Sequence, residues 1–325
     1  MKFKLNLLFF SSLILGIVLT ALIFLKVGID KIIKSISLIS WWQFLIIFSI
    51  NLIILLILAE KWKIITTPYH YKSNFQRILI AILGEQAISF ITPIIYVGGE
   101  GIKTFILKED DEEKSFTKTF GLVVLDRLAE GFSLVIFFLL GGVILFFSKY
   151  FFSGFFLIFV SLLILILIFL SFRIPQFFSK IVDFLFKKKL VKDKEKFKKG
   201  IEIIKDYIFH HGNFFNQDIF YSFIVLILKT FQVYLILLLL GTKPSFFHIY
   251  FIEVVILLTG LCPTPGSLGG LEWSLVFIFS LFNLPSFDAL SLAVVLRATQ
   301  LILVALGLFL IFPYSTLKIF SNNFK

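Results

Sequence analysis

Eight charged residues lie within or beside long apolar stretches of the sequence, where an ionised group is expensive. They are Glu85, Glu100, Asp126, Arg127, Glu130, Glu253, Glu272 and Arg297. If these stretches cross a lipid bilayer, each charge costs about 2.5 to 3.5 kcal/mol even on a lenient insertion scale. Arginines hold phosphate groups through paired hydrogen bonds, and carboxylates hold cations. The residue types therefore indicate either a polar pathway through the apolar part or a set of structural ion pairs.

Several of these charges accompany two apolar stretches, Ile78 to Gly101 and Phe246 to Leu284, that proline and glycine interrupt. Both interruptions read Thr-Pro, a short gap, Gly-Gly and then Glu. Proline removes a backbone donor and glycine loosens a helix, so we expect both stretches to unwind as re-entrant hairpins or pairs of half-helices. The expected hinge residues are Thr92, Pro93, Gly98 and Gly99 in the first stretch, and Pro263, Thr264, Pro265, Gly266, Gly269 and Gly270 in the second.

A second repeated motif follows each interruption, in the same order in both halves. The first half continues with Val123-Val124-Leu125-Asp126-Arg127 and the second with Val294-Val295-Leu296-Arg297. The sequence thus predicts one transmembrane domain over 1–325, with a first repeat over roughly 44–147 and a second over roughly 219–312. Because the charge pattern puts the two interruptions on opposite sides of the membrane, the repeat is expected to be inverted. Discontinuous helices of inverted repeats build substrate sites near the membrane midplane.

The composition explains why these elements must lie in lipid. Hydrophobic residues make up 59% of the 325 residues, charged residues 16%, and the mean hydropathy is +1.01. Soluble domains are about 45–50% apolar and about 25% charged. The sequence predicts an all-α polytopic transmembrane helical bundle with about six full spans plus the two broken hairpins. The uninterrupted runs are Leu5 to Leu25, Phe44 to Ala59, Phe132 to Phe147, Phe151 to Ser171, Ile219 to Leu240 and Leu290 to Phe312, and the third helix is expected to begin near Ser115.

Orientation follows from the lysines and arginines, of which 11 of 31 lie between Arg173 and Lys205. Basic loops stay in the cytoplasm, so we expect the basic loop at 172–216 and both termini on the cytoplasmic side of the plasma membrane. The loop contains two helical apolar stripes, which are Phe177, Ile181, Phe184 and Leu185, and then Phe197, Ile201, Ile204 and Ile208. Either these stripes lie on the inner leaflet and bind anionic lipid, or the loop is solvated and only fixes orientation.

The sequence gives little support for nucleic-acid binding, metal binding or nucleotide binding. The net charge of +11 is concentrated beside a span, which favours anionic lipid over nucleic acid as the partner. Cys262 is the single cysteine, the four histidines form no ligand pattern, and no glycine-rich nucleotide loop follows a strand. We therefore expect no metal, no cofactor and no catalytic residue.

The motifs resemble a known family. They are Gly84-Glu85-Gln86-Ala87-Ile88-Ser89 before Thr92-Pro93, Gly98-Gly99-Glu100-Gly101-Ile102-Lys103, Asp126-Arg127, and Pro263-Thr264-Pro265-Gly266-Ser267-Leu268-Gly269-Gly270-Leu271-Glu272. This order resembles the lysylphosphatidylglycerol synthase transmembrane region, or flippase-like, family. The resemblance implies a bacterial or archaeal protein that moves a modified or glycan-linked lipid between leaflets. Many members carry a fused aminoacyl-transferring domain, and because this chain ends at Lys325 without one, we expect no lipid lysinylation by it.

The function predicted from these residues is transport of a lipid with a polar, charged or glycan-linked headgroup. The expected substrate-binding residues are Glu85, Glu100, Lys103, Asp126, Arg127, Glu272 and Arg297. Arg127 and Arg297 would hold a lipid phosphate, and Glu100 and Glu272 would pair with the arginines when substrate is absent. For Glu130 and Glu253, which have no repeat counterpart, a structural role is preferred. The alternatives are a membrane partner or anchor of a separate lipid-modifying or glycosyl-transferring enzyme and, less favoured, a lipid-substrate transferase with Glu100 or Glu272 as base.

The predicted topology can be tested with the native thiol of Cys262, which lies at the second break. Since that break is expected to open outward, a membrane-impermeant thiol reagent should label Cys262 in intact cells, and Cys262→Ser should abolish the label. Labelling of inverted vesicles but not of intact cells would reverse the orientation.

Overall fold

The computed structural model describes residues 2–71, 74–92, 99–108, 116–147, 151–173 and 194–322. Over these residues the chain is all-α, as predicted. The helices are α1 (Lys2–Val27), α2 (Ile29–Ile36), α3 (Trp41–Thr66), α4 (Phe75–Ile91), α5 (Gly99–Leu107), α6 (Phe116–Phe146), α7 (Phe151–Arg173), α8 (Lys194–His210), α9 (Gly212–Leu239), α10 (Phe246–Thr259), α11 (Gly270–Leu281) and α12 (Ser286–Asn322).

Within the described part of the chain, five helices are long and apolar enough to cross a bilayer. These candidate spans are Phe10–Val27, Trp41–Tyr69, Phe116–Phe146, Gly212–Leu239 and Ser286–Phe312. The start of α6 at Phe116 confirms the helix predicted to begin near Ser115. The remaining apolar run forms α7, whose described apolar part, Gly154–Ile166, is shorter. The polytopic helical class is confirmed, and the number of six full spans stays a prediction.

Both predicted interruptions are present in the backbone. Helix α4 ends at Ile91, Thr92 is extended, and α5 begins only at Gly99. Helix α10 ends at Thr259 and α11 begins at Gly270, with a short 3-10 turn at Pro265–Ser267 between them. Each interruption joins two packed helices, α4 with α5 and α10 with α11. Pro93 and Gly98 lie outside the described residues, and the inverted orientation of the two pairs stays a prediction.

One compact unit contains both interrupted helix pairs and comprises Met1–Ala59, Ser73–Leu107 and Ile227–Lys325. In it α12 packs against α2, α4 and α11. Its apolar core includes Ile47 of α3, Ile236 of α9, Phe279 of α11 and Ala293 of α12, all fully buried. Because α12 contacts limbs of both pairs, it is the common support of the two breaks.

A second compact unit comprises Glu60–Lys72 and Lys108–Leu226. In it α6 packs against α7 and α8. The approach of α6 and α7 depends on Gly142 and Gly154, where an added Cβ would collide with the neighbouring helix. Nothing in this division tests the predicted repeat boundaries, which stay a prediction.

The basic loop is described only from Lys194 onward, so its first stripe, at Phe177, Ile181, Phe184 and Leu185, lies outside the described residues. The second stripe falls on α8, which packs against α6 and buries Tyr207 completely. Binding of this segment to the inner leaflet stays a prediction.

Two glycine substitutions test the helix packing. A Cβ on Gly307 of α12 would collide with the carbonyl oxygen of Leu83 in α4, whereas nothing lies within 4 Å of a Cβ on Gly131 of α6. We expect Gly307→Ala to lower the free energy of unfolding by about 1–3 kcal/mol, as overpacking does. Gly131→Ala should raise it by up to about 1 kcal/mol, because alanine favours the helix. Melting in detergent measures both, and equal melting temperatures would contradict the close approach of α12 and α4.

Candidate functional site

The first break is held by a buried ion pair between its two helices. The Nζ atom of Lys103 in α5 lies 3.2 Å from Oε2 of Glu85 in α4, with both side chains almost fully buried. Gly99 makes this approach possible, since a Cβ there would collide with the Ser89 hydroxyl and the Glu85 carbonyl oxygen. Two predicted site residues are thus brought together. Glu100 is also buried, in the first turn of α5.

The second break is held by Arg297 of α12. Its Nε donates to Oε1 of Glu272 at 2.5 Å, and the other carboxylate oxygen of Glu272 accepts the Gly269 N–H at 2.9 Å. The two terminal nitrogens of Arg297 donate to the carbonyl oxygens of Gly266 and Ser267 at 2.9 and 3.2 Å. One guanidinium therefore binds a carboxylate at the start of α11 and satisfies two carbonyls that the break leaves without helical partners.

The backbone at this break takes conformations that glycine accommodates. Gly266 has φ +55° and Gly269 has φ +78°, both in the left-handed region that side chains disfavour. The ring of Phe90, near the end of α4, occupies the space where a Gly266 side chain would stand. Thr264 adds a hydrogen bond from its hydroxyl to the Leu268 carbonyl at 2.9 Å. The last turn of α4 in the first pair thus lies directly against the second break.

In the second unit, the predicted Asp126 and Arg127 belong to a charge cluster around Lys61. The Lys61 Nζ lies 2.7 Å from Asp126, 3.0 Å from Glu130 and 3.6 Å from Asp218, and the side chain is only 1% exposed. Arg127 donates to Glu130 at 2.6 Å. With two bases and three acids ionised, the cluster carries one negative charge in excess.

The cluster continues to Tyr207 of α8. Burial raises the pKa of the Tyr207 hydroxyl, and the nearby Asp218 carboxylate adds to the shift. The hydroxyl stays protonated at neutral pH and makes no hydrogen bond within the described part of the chain.

The sequence interpretation missed Lys61, Asp218 and Lys229 as charges within the apolar spans. The predicted apolar run ends at Ala59, but α3 continues to Thr66 and Lys61 is buried. A signal for Asp218 was present in the sequence, because its helical spacing puts it on one stripe with Phe215, Ser222 and Val225. All four side chains are buried in the structure. An acid at a core position of an apolar stripe indicates a buried partner.

The predicted charges of the two units have different surroundings. Arg297 is engaged at the second break, while Arg127 is only partly buried and pairs with Glu130. The structural preference for Glu130 agrees with its two ion pairs. No ion pair of Glu253 is found in the described part of the chain. That Arg127 and Arg297 bind the same phosphate stays a prediction.

Residues 9–307, which include both breaks and the Lys61 cluster, match the family described as lysylphosphatidylglycerol synthase TM region. The chain is similar to a UPF0104 membrane protein of Methanocaldococcus jannaschii, with 25% identity over 306 residues that cover 90% of each chain. It is also similar to a UPF0104 membrane protein of Pyrococcus horikoshii, with 23% identity over 128 residues, 39% of this chain and 38% of that protein.

The pair between Glu272 and Arg297 gives a stability prediction. Removal of one partner of a buried pair costs about 3–5 kcal/mol, so Arg297→Gln and Glu272→Gln should each melt well below the wild type in detergent. The double variant should recover part of the loss, because no buried charge is left unpaired. Lys63→Gln is the matched control, since Lys63 pairs with Glu60 on the exposed surface and should contribute at most about 1 kcal/mol. A double variant no better than the sum of the singles would contradict the pairing.

Proposed function

This chain belongs to the lysylphosphatidylglycerol synthase TM region family, as its motifs suggested, and we propose that it moves a lipid with a polar, charged or glycan-linked headgroup between membrane leaflets. The membrane is the cell (plasma) membrane, which the chain crosses several times with both termini in the cytoplasm. In this proposal the protein is a translocase without chemistry of its own. Its partners are membrane lipids, with anionic lipid at the basic loop, and a separate lipid-modifying enzyme or glycosyltransferase.

The observation that carries the proposal is the presence of a buried acid–base pair at each of the two helix breaks. Glu85 and Lys103 join the limbs of the first, and Glu272 and Arg297 hold the second. A buried ion pair is weak evidence for stability, because well-packed apolar residues in its place are often neutral or more stable by about 1–4 kcal/mol. Two such pairs at two breaks therefore support a role in which the charges exchange partners.

The geometry of Arg297 suits exchange with a phosphate. Its Nε and terminal nitrogens already donate to a carboxylate and two carbonyl oxygens. A lipid phosphate presents the same kind of acceptors, so it could replace Glu272 with no new donor required. Lys103 offers a second cation, and the carboxylates released from both pairs could hold a cationic group of the same headgroup.

A polar pathway built from these charges would remove the main physical obstacle to lipid exchange. The headgroup must cross a hydrocarbon layer about 30 Å thick, in which unpaired polar groups are costly. Interrupted helices place free backbone groups and charged side chains at membrane depth, where the surrounding helices separate them from the lipid tails. Reorganisation of the backbone at Gly266 and Gly269 would move these groups.

Purified protein in phosphatidylglycerol vesicles tests the proposal through the leaflet exchange of a fluorescent phospholipid, read by an impermeant quencher. We expect wild-type protein to accelerate exchange. Arg127→Gln and the double variant Arg297→Gln, Glu272→Gln should slow it by about tenfold to a hundredfold, because each lost charge-assisted hydrogen bond contributes about 1.5–3 kcal/mol.

Lys63→Gln is the control in this assay as well and should leave exchange unchanged, since its ion pair is on the surface. The double variant Arg297→Gln, Glu272→Gln has no unpaired buried charge at the second break. If it folds but no longer accelerates lipid exchange, the two residues bind substrate and are not only structural. Folded wild-type protein that does not accelerate exchange of any phospholipid offered would instead favour an anchor of a separate enzyme.

A further inference from the structure

Glu253 is a buried carboxyl group in the middle of α10 that takes no part in the pairs described above. Its side chain is 1% exposed and lies between Ile252 and Val254, which are also buried. Its Oε2 atom has no hydrogen-bond partner in the described part of the chain, and no lysine, arginine or histidine of that part forms an ion pair with it. At the two breaks of this unit, Glu85 is paired with Lys103 and Glu272 with Arg297.

The charged groups on the elements around Glu253 are few. On α9, Lys229 is close enough to act on the carboxyl electrostatically, although its own side chain is exposed. On α11 and α12, Glu272 and Arg297 are bound to each other. Asp288, at the start of α12, accepts a hydrogen bond from Ser35. On α10 itself, Tyr250 lies one turn before Glu253 and is also buried.

The charge state of this carboxyl group depends on what surrounds it. An ionised carboxylate without a partner is strongly disfavoured in an apolar interior, which favours the neutral acid in the arrangement seen here. The ionised form becomes favourable when a cation approaches, and Lys229 is the cation within electrostatic reach. A movement that brought Lys229 to the carboxyl group would therefore change it from a neutral acid to a paired carboxylate.

We propose that Glu253 is a proton-binding site that couples lipid movement to a proton gradient. The carboxylate accepts one proton to become a carboxylic acid in the buried arrangement and returns it to water when it pairs with Lys229; no other bond forms or breaks. Because α10 is the first limb of the second break, the charge of Glu253 influences how that limb packs. The coupling rests on the proposed function, whereas proton binding itself does not.

Proton binding is tested by infrared spectroscopy of the full-length protein in vesicles. The wild type should show the C=O absorbance of a buried carboxylic acid at neutral pH, and Glu253→Gln should lose it. Glu60→Gln is the matched control, because Glu60 is an exposed acid in an ion pair with Lys63, and it should keep the absorbance. Identical spectra for Glu253→Gln and the wild type would overturn the proposal.

A second variant keeps the test decisive if Glu253→Gln does not fold. Lys229→Gln removes the positive charge that favours ionisation, so the carboxylic acid absorbance should persist to higher pH than in the wild type. Loss of the absorbance at the same pH in both proteins would remove Lys229 from the site and overturn the proposed pairing.

The coupling is tested in vesicles with and without a pH difference across the membrane. Wild-type lipid exchange should be faster with the gradient, and Glu253→Gln should exchange lipid at one rate in both conditions. If the rate of wild-type lipid exchange is the same with and without the gradient, the proposed coupling is overturned. A carboxylic acid absorbance that depends on Glu253, together with no lipid exchange at all, would leave the proton site in place and refute the proposed function instead.

Discussion

The need to pair every ionised group within an apolar interior governs the arrangement of this protein. Lys61 lies among three carboxylates, Lys103 is bound to Glu85, and Arg297 is bound to Glu272. Each pair joins separate helices or separate limbs of an interrupted helix. Helix packing that separated the partners would leave a charge in a medium that cannot solvate it, so the pairs restrict which packings are possible.

The same constraint applies to the backbone at the second break. An interrupted helix leaves carbonyl groups without their usual donors, and water is scarce at membrane depth. Arg297 supplies donors to the Gly266 and Ser267 carbonyls, and Glu272 accepts the Gly269 N–H. One ion pair therefore stabilises both the charges and the unwound backbone. A structural role and a transport role are compatible here. The Arg297 donors that bind Glu272 and the carbonyl groups without substrate can bind substrate oxygens that offer equivalent acceptors.

The two interrupted pairs and the Lys61 cluster present different kinds of site. The ion pair at each break of the first unit is balanced, with one acid for one base. The Lys61 cluster has an excess of acid and a partly exposed Arg127. Glu253 differs from both because it is buried and forms no ion pair with any residue in the described part of the chain. Balanced pairs suit the exchange of a headgroup, whereas a single carboxyl group suits the exchange of a proton.

The sequence by itself determined the features that depend on local pattern. Apolar runs require lipid, proline at Pro93 and Pro265 disfavours a continuous helix, and the motif order identified the family. Only the tertiary structure decided which charges meet. Lys61 pairs with Asp218, more than 150 residues away along the chain, because their two helices pack together. No local sequence pattern predicts this contact. Helix propensity and hydropathy act over a few residues, whereas ion pairs in the core depend on the packing of whole helices.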